Sequence, residues 1–224
     1  MKRFMKFTFL LLLLIFASFV LSAQATQPSQ NQAEKSKTVR VSADYVEPKK
    51  DVIYYKGKVF VNIDEDKVSV KTTEMYVKKV NEKWKIVEIP VKAEFSFDGG
   101  NATADKMTYD LDNRTGTLSN ANVTVIDTKS NEKIIIIADS VSYDLQNDKY
   151  SGTKKGGVSI TKGKITAVAD KFDYDKKKGE LVLTGAVVIN DSEKDIKMTA
   201  SDVVIYTESN DMKANNVNIE LKVK

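Results

Sequence analysis

The sequence has no histidine and no cysteine, and only three prolines and one tryptophan among its 224 residues. Without histidine it lacks the one side chain whose ordinary pKa lies near neutrality. Without cysteine it can form no disulfide, thiolate nucleophile or thiolate metal site, and lipoprotein processing is excluded as well. Any catalysis would fall to Asp, Glu, Lys, Tyr or Ser. Charge of one sign is also scarce, since 35 basic residues against 31 acidic ones leave a net +4. Apolar residues make up 42% and charged residues 29%, close to globular averages, so the chain is neither a disordered tail nor a polytopic membrane protein.

What is present begins with a targeting segment. Lys2, Arg3 and Lys6 precede the run Phe7 to Leu21, apolar apart from Thr8 and Ser18, and Ala23-Gln24-Ala25 follows as an A-x-A cleavage site. The run is about fifteen residues, short of the roughly 20 that span a bilayer core. Residues 1–25 are therefore expected to be a signal peptide cleaved after Ala25, with an uncleaved anchor as the alternative. Cleavage would remove three basic residues and leave 32 against 31 acidic ones. Nucleic-acid binding then loses its compositional support. Residues 26–38 read as a polar linker and residues 39–224 as one domain.

That domain is a repeat. The phrases are ADYVEPK from Ala43, TEMYVKK from Thr73, ADKMTYD from Ala104, ADSVSYD from Ala138, ADKFDYD from Ala169 and SDVVIYT from Ser201. Their acidic residues Asp44, Glu74, Asp105, Asp139, Asp170 and Asp202 are separated by 30, 31, 34, 31 and 32 residues, the period of stacked structural units. The last four phrases alternate, and in each its Asp, its apolar residue and its Tyr (Tyr109, Tyr143, Tyr174, Tyr206) share one phase of a two-residue period. One face should be buried and the other wet. A turn rich in Asp, Asn, Lys and Gly follows, and a second alternating run opens on Gly or Asn, as in GKVFVNI from Gly57 and GAVVIND from Gly185. Residues that tolerate positive φ at one register predict a repeated bend or bulge. No mature segment has helical periodicity. The expectation is an all-β protein of about six repeats, two strands each, folded over so that their apolar faces meet.

The inward positions are Val59, Val61, Met107, Val123, Val125, Val141, Val158, Ile160, Phe172, Val187, Ile189 and Val204. They either line a trough or pack a closed core. Stacking of the repeats predicts Asp105, Asp139, Asp170 and Asp202 about 4.8 Å apart, each held by backbone N–H groups at a strand corner. No DxDxDG loop or GxxxxGK[ST] run exists, so neither a calcium loop nor a nucleotide site is expected, and no metal or cofactor. The end runs, Val39 to Ser42 and Asn215 to Lys224, would be unpaired edges that template another strand, unless Lys222 and Lys224 guard the second.

The run VRVSADYVEPKKDVIYYKGKVFV, Val39 to Val61, together with the later A-D-x-x-x-Y-D phrases, resembles the OstA-like/LptA family of periplasmic lipopolysaccharide-transport proteins. The resemblance covers nearly the whole mature chain. It implies a V-shaped open β-jellyroll whose interior holds lipopolysaccharide acyl chains, no enzymatic activity, and a periplasmic location. Implied partners are lipopolysaccharide or a related lipid, further copies joined head to tail through terminal strands, and the inner- and outer-membrane OstA-like components. A membrane-anchored LptC-like component and a structural β-repeat envelope protein that binds no lipid are the alternatives. The second unit, Thr73 to Phe97, departs from the pattern and carries KKVNEKWKIVEIP.

Overall fold

A computed structural model describes residues 37–221. The expected signal peptide, nearly all of the linker, and Lys222 and Lys224 lie outside the described residues. The first strands are β1 (Val39–Ser42), β2 (Tyr45–Pro48), β3 (Val52–Ile63), β4 (Val68–Val80), β5 (Lys83–Ile89) and β6 (Ala93–Phe97). Then come β7 (Gly100–Ala104), β8 (Lys106–Asp110), β9 (Thr115–Ile126), β10 (Lys133–Asp144) and β11 (Lys149–Lys162). The last are β12 (Ile165–Asp175), β13 (Glu180–Asp191), β14 (Ile196–Tyr206), β15 (Asp211–Asn215) and β16 (Asn218–Leu221).

All sixteen belong to one antiparallel sheet. The pairs β1/β2, β5/β6, β7/β8 and β15/β16 are each one strand interrupted at its middle, because both members of a pair flank the same neighbours. The chain is therefore a meander of bent strands whose order in space is their order in sequence. Each strand bends near its midpoint, and the register slips there, between Lys56 and Val59, Ile137 and Ser140, Thr153 and Val158, Val168 and Lys171, and Thr184 and Val187. The bends align into a crease that divides the sheet into two leaves. Leaf one holds β2, β5, β8 and β15 and the matching halves of the long strands. Leaf two holds β1, β6, β7, β16 and the remaining halves.

The repeat phrase builds the crease. Its Ala lies inside, where Ala104, Ala138, Ala169 and Ala200 are buried and leave room for the fold. Its Asp lies outside and holds the bend of the next strand. Asp44 accepts a hydrogen bond from the Lys58 backbone N–H at 3.1 Å and Asp139 from that of Lys155 at 2.9 Å. Asp105 accepts one from the Asn120 side-chain amide at 2.9 Å. The next strand takes a left-handed conformation at or beside this point, with φ of 48° at Asn120 and 75° at Gly185. A Cβ on Gly185 would lie 2.4 Å from the Asp170 carboxylate, so glycine there gives both the φ and the close approach. The phrase's final Asp builds the hairpin turn: Asp110 and Asp144 each accept two backbone N–H bonds from their turns, and Asp175 accepts one.

Two expectations are corrected here. The acids of successive phrases stand on every second strand, with a return strand between them. Their separation is about two strand spacings, ~9.5 Å, rather than one. The last phrase is also out of register with the others. Ala200, not Ser201, occupies the Ala position, and Ser201 takes the crease role, donating to the Asn215 carbonyl at 3.3 Å. A slip of one residue turns every side chain over. Val203 and Ile205 face inward, whereas Val204 and Tyr206 face out and Asp202 sits one place beyond the crease.

Gly156 is also left-handed, at φ 85°, but a Cβ there would meet nothing within 4 Å. Gly156→Ala should cost about 1 kcal/mol of backbone strain. Gly185→Ala should cost at least about 1 kcal/mol more, because Asp170 must also move. Urea denaturation of both variants checks this, and equal costs would show that the carboxylate clamp is not what shapes the bend.

Candidate functional site: an apolar interior closed by a polar seam

Folding two leaves about one crease creates a single interior and a single line where the far ends of the leaves meet. The interior is apolar. Eleven of the twelve predicted inward positions, all but Val204, lie there with at most 2% of their surface exposed. They are joined by residues the alternation did not single out, among them Met75, Leu118, Ile134, Ile136, Leu181 and Leu183. Tyr109, Tyr143, Tyr150 and Tyr174 point in from leaf one. Tyr109 and Tyr143 stack at 6.3 Å, Tyr150 and Tyr174 at 6.1 Å, and Phe95 and Phe97 of β6 link the two pairs, at 5.3 Å from Tyr143 and 5.9 Å from Tyr150. The irregular second unit thus supplies the aromatic bridge.

Among the described residues, the buried polar and charged ones lie on the crease or on the far line, not between them. Thr72 is on the crease; Asp66, Asp127, Lys162, Lys176, Asp191 and Thr207 are at the far ends of the leaves. These six residues and their partners form a seam. Asp66, in the 3-10 turn Asp64–Asp66, accepts a hydrogen bond from the Tyr109 hydroxyl at 3.0 Å and pairs with Lys37 at 3.0 Å and Arg114 at 3.1 Å. Asp127 accepts hydrogen bonds from the hydroxyls of Tyr174 and Thr207. Lys162 pairs with Glu132 and donates to the Asn210 side chain at 2.6 Å. Thr128 donates to the Lys176 carbonyl at 3.4 Å, and Lys194 to the Asn210 carbonyl at 3.2 Å. Each joins a turn of leaf two to leaf one.

Burial favours the neutral form of Asp127, but hydrogen bonds from Tyr174, Ser130 and Thr207 outweigh it and hold the carboxyl below its ordinary range. The Tyr174 hydroxyl moves the other way, raised by burial first and by the adjacent Asp127 carboxylate second. This is an arrangement for holding two surfaces together, not for proton transfer near neutrality. Among the described residues no group of three or more His, Cys, Asp or Glu could hold a metal ion.

The seam was readable in part. The inward phase of three return runs ends on a charged residue: Val123, Val125, then Asp127; Val158, Ile160, then Lys162; Val187, Ile189, then Asp191. A charge at an inward register is the signal, and it marks where the core ends. Asp66 carries no such signal, because a 3-10 turn sets its direction.

Fold and interior together define a class: a β-jellyroll-type repeat protein in which bent strands wrap one long apolar interior. A family model described as LptA/(LptD N-terminal domain) LPS transport protein matches the chain twice, over residues 36–149 and 132–211. The chain belongs to that family. Among solved structures it is similar to the crystal structure of LptH, the LptA homologous periplasmic component of the conserved lipopolysaccharide transport device from Pseudomonas aeruginosa. Sequence identity is 12%, coverage is 68% of this chain and 86% of that one, and the TM-score is 0.32. The comparison with curated proteins finds no match.

The seam predicts an acid limit. A depressed carboxyl pKa in the folded state means that Asp127 contributes stability above its unfolded pKa, about 3.9, and that this is lost as pH falls through the folded value. Stability should therefore be level between pH 7 and 5 and decline below about pH 4. Asp127→Ala should cost about 2–3 kcal/mol at pH 7, since two buried hydroxyls lose their acceptor. A flattened acid limb in this variant, followed by urea melts across pH, would assign the decline to the seam.

Proposed function

We propose that this protein is an exported, periplasmic, non-enzymatic carrier for lipopolysaccharide. The acyl chains would occupy the interior and the charged head group would stay outside, with the protein bridging inner-membrane and outer-membrane OstA-like components. The observation that carries the reading, beside the family, is the distribution of polarity. One continuous apolar interior is shut along one line by hydrogen bonds and ion pairs rather than by core packing. Acyl chains entering there would replace the contacts between leaves at about 0.8 kcal/mol per buried methylene, while seam groups regain water.

The crease favours this mode of opening. Each strand is continuous or nearly so across the bend, so the leaves can splay about the crease without breaking strand pairing within either one. Head-to-tail joining is part of the proposal. Among the described residues, β1 and β2 at one end and β15 and β16 at the other each have one edge with no strand on it, and Ile219 and Leu221 on β16 are 56% and 61% exposed. The closed interior keeps a second reading in play, in which Phe172, 1% exposed, belongs to a permanent core of a structural envelope protein.

The two readings separate on a covalent lock. A Cβ on Gly179, in the leaf-one turn, would lie 3.7 Å from the Cβ of Lys129, in the leaf-two turn, a normal separation for a disulfide. The chain has no other cysteine to interfere. A photo-crosslinking residue at Phe172, with exposed Lys171 as control, should capture lipopolysaccharide in the bacterial envelope at 172 only. In Lys129→Cys/Gly179→Cys, oxidation should abolish that adduct and reduction restore it. No adduct in either state, repeated at Val141, would move the assignment to the structural protein. Adducts unaffected by oxidation would place lipid entry at the ends of the stack.

A further inference from the structure

The β4–β5 hairpin departs from the leaf-one turns that follow β8, β10, β12 and β14. In those four the first residue after the strand folds inward and closes the seam, as Leu111, Leu145, Lys176 and Thr207 do, each at most 8% exposed. Here the ladder continues outward through the pairs Lys79↔Trp84 and Val80↔Lys83 and closes in a two-residue turn. Both turn residues are left-handed, Asn81 at φ 52° and Glu82 at φ 62°, the tightest hairpin the chain can make. Trp84, the chain's single tryptophan, is left 38% exposed and Val80 40% exposed, and the Lys79 ammonium lies 4.9 Å from the centre of the Trp84 ring. Among the described residues, the core and the seam contacts given above do not involve these side chains.

The surroundings carry a small excess of positive charge. The Lys79 backbone N–H donates to the Asp51 carbonyl at 2.9 Å, which sets this tip beside the turn at 49–51. The two tips together carry Lys49, Lys50, Lys79 and Lys83 against Asp51, Glu82 and Glu47, the last paired with Lys49 at 3.2 Å. The domain's first described residue is at the same corner. Lys37 donates to the Leu111 carbonyl at 2.7 Å, and Leu111 N–H to the Lys85 carbonyl at 2.9 Å, one residue from Trp84.

An indole held at a protruding tip among lysines matches the chemistry of the bilayer interface, where tryptophan settles at head-group depth and lysine stems extend toward phosphate. We propose that the β4–β5 tip docks on an anionic phospholipid bilayer surface. Trp84 and Val80 enter the interface, and Lys79 and Lys83 meet the lipid phosphates. Docking at this corner leaves the crease and most of the seam free, so it is separate from lipid loading.

The test uses Trp84 as its own reporter, because no second tryptophan contributes fluorescence. The protein is mixed with vesicles of phosphatidylcholine containing 30% phosphatidylglycerol, about a third anionic lipid, or of phosphatidylcholine alone. Trp84 emission should shift to the blue with the anionic vesicles and be quenched by phospholipids brominated on their acyl chains. The doubly substituted Lys79→Glu/Lys83→Glu should weaken that response at least about tenfold at low salt. Trp84→Phe with Val80→Ser should keep its circular dichroism and its Phe172 lipid adduct but lose vesicle flotation. Emission that stays unmoved and unquenched overturns the proposal, and so does an equal shift with zwitterionic vesicles. Selective binding of the tip to a periplasmic protein, with no response to vesicles, also overturns it. Failure at Phe172 with an intact Trp84 response would instead count against the transport reading alone.

Discussion

A carboxylate gripping the bend of the strand beside it is the interaction on which the architecture rests. A long antiparallel sheet with one apolar face has no way to bury that face while it stays open. The crease solves this at every second strand. At Asp44, Asp105 and Asp139 the carboxylate outside takes a hydrogen bond from the neighbouring bend, the small Ala inside admits the fold, and a left-handed residue on the next strand lets the backbone come close. Interior, seam and leaf geometry all follow from that local chemistry.

Polarity across the section is ordered in the same way. The crease is held by groups that water also reaches, so it is a hinge of modest strength at each repeat and considerable strength in sum. Among the described residues, the side chains of the interior make no hydrogen-bonding demand beyond the tyrosine hydroxyls, and two of those, on Tyr109 and Tyr174, reach out of it to the seam carboxylates. The seam therefore ties the two leaves by their edges, where separation costs hydrogen bonds and ion pairs that water can replace.

Much of this was legible in the residues. A period of 30 to 34 residues, an A-D-x-x-x-Y-D phrase and a Gly or Asn opening each return strand give the strand count and the repeated bend. They also place eleven of twelve inward positions. The miss at Val204 has a simple cause: Ser201 does the work of Asp at the last crease, and the adjacent Asp202 invites alignment one residue too far along. The spacing of the acids was misjudged because the return strand was not counted between them. Asp66 and the Phe95–Phe97 bridge were beyond reach, since a single turn and an irregular unit place them without any repeat to compare. Whether the interior opens is a question of free energy between two packings of the same strands, which no alternation pattern encodes.

Strand order in space equals strand order in the chain, and this bears on how the molecule comes into being. Apart from its seam contacts, each strand completes its pairing with the one that emerged just before it, joined by a short turn, so loop-closure entropy stays low for a protein made wholly of strands. A chain delivered N-terminus first through a narrow export pore could lay down its sheet one strand at a time, each arrival covering the exposed edge left by its predecessor. The vulnerable edge would then always be the newest one, shielded within moments by the next length of chain to come through.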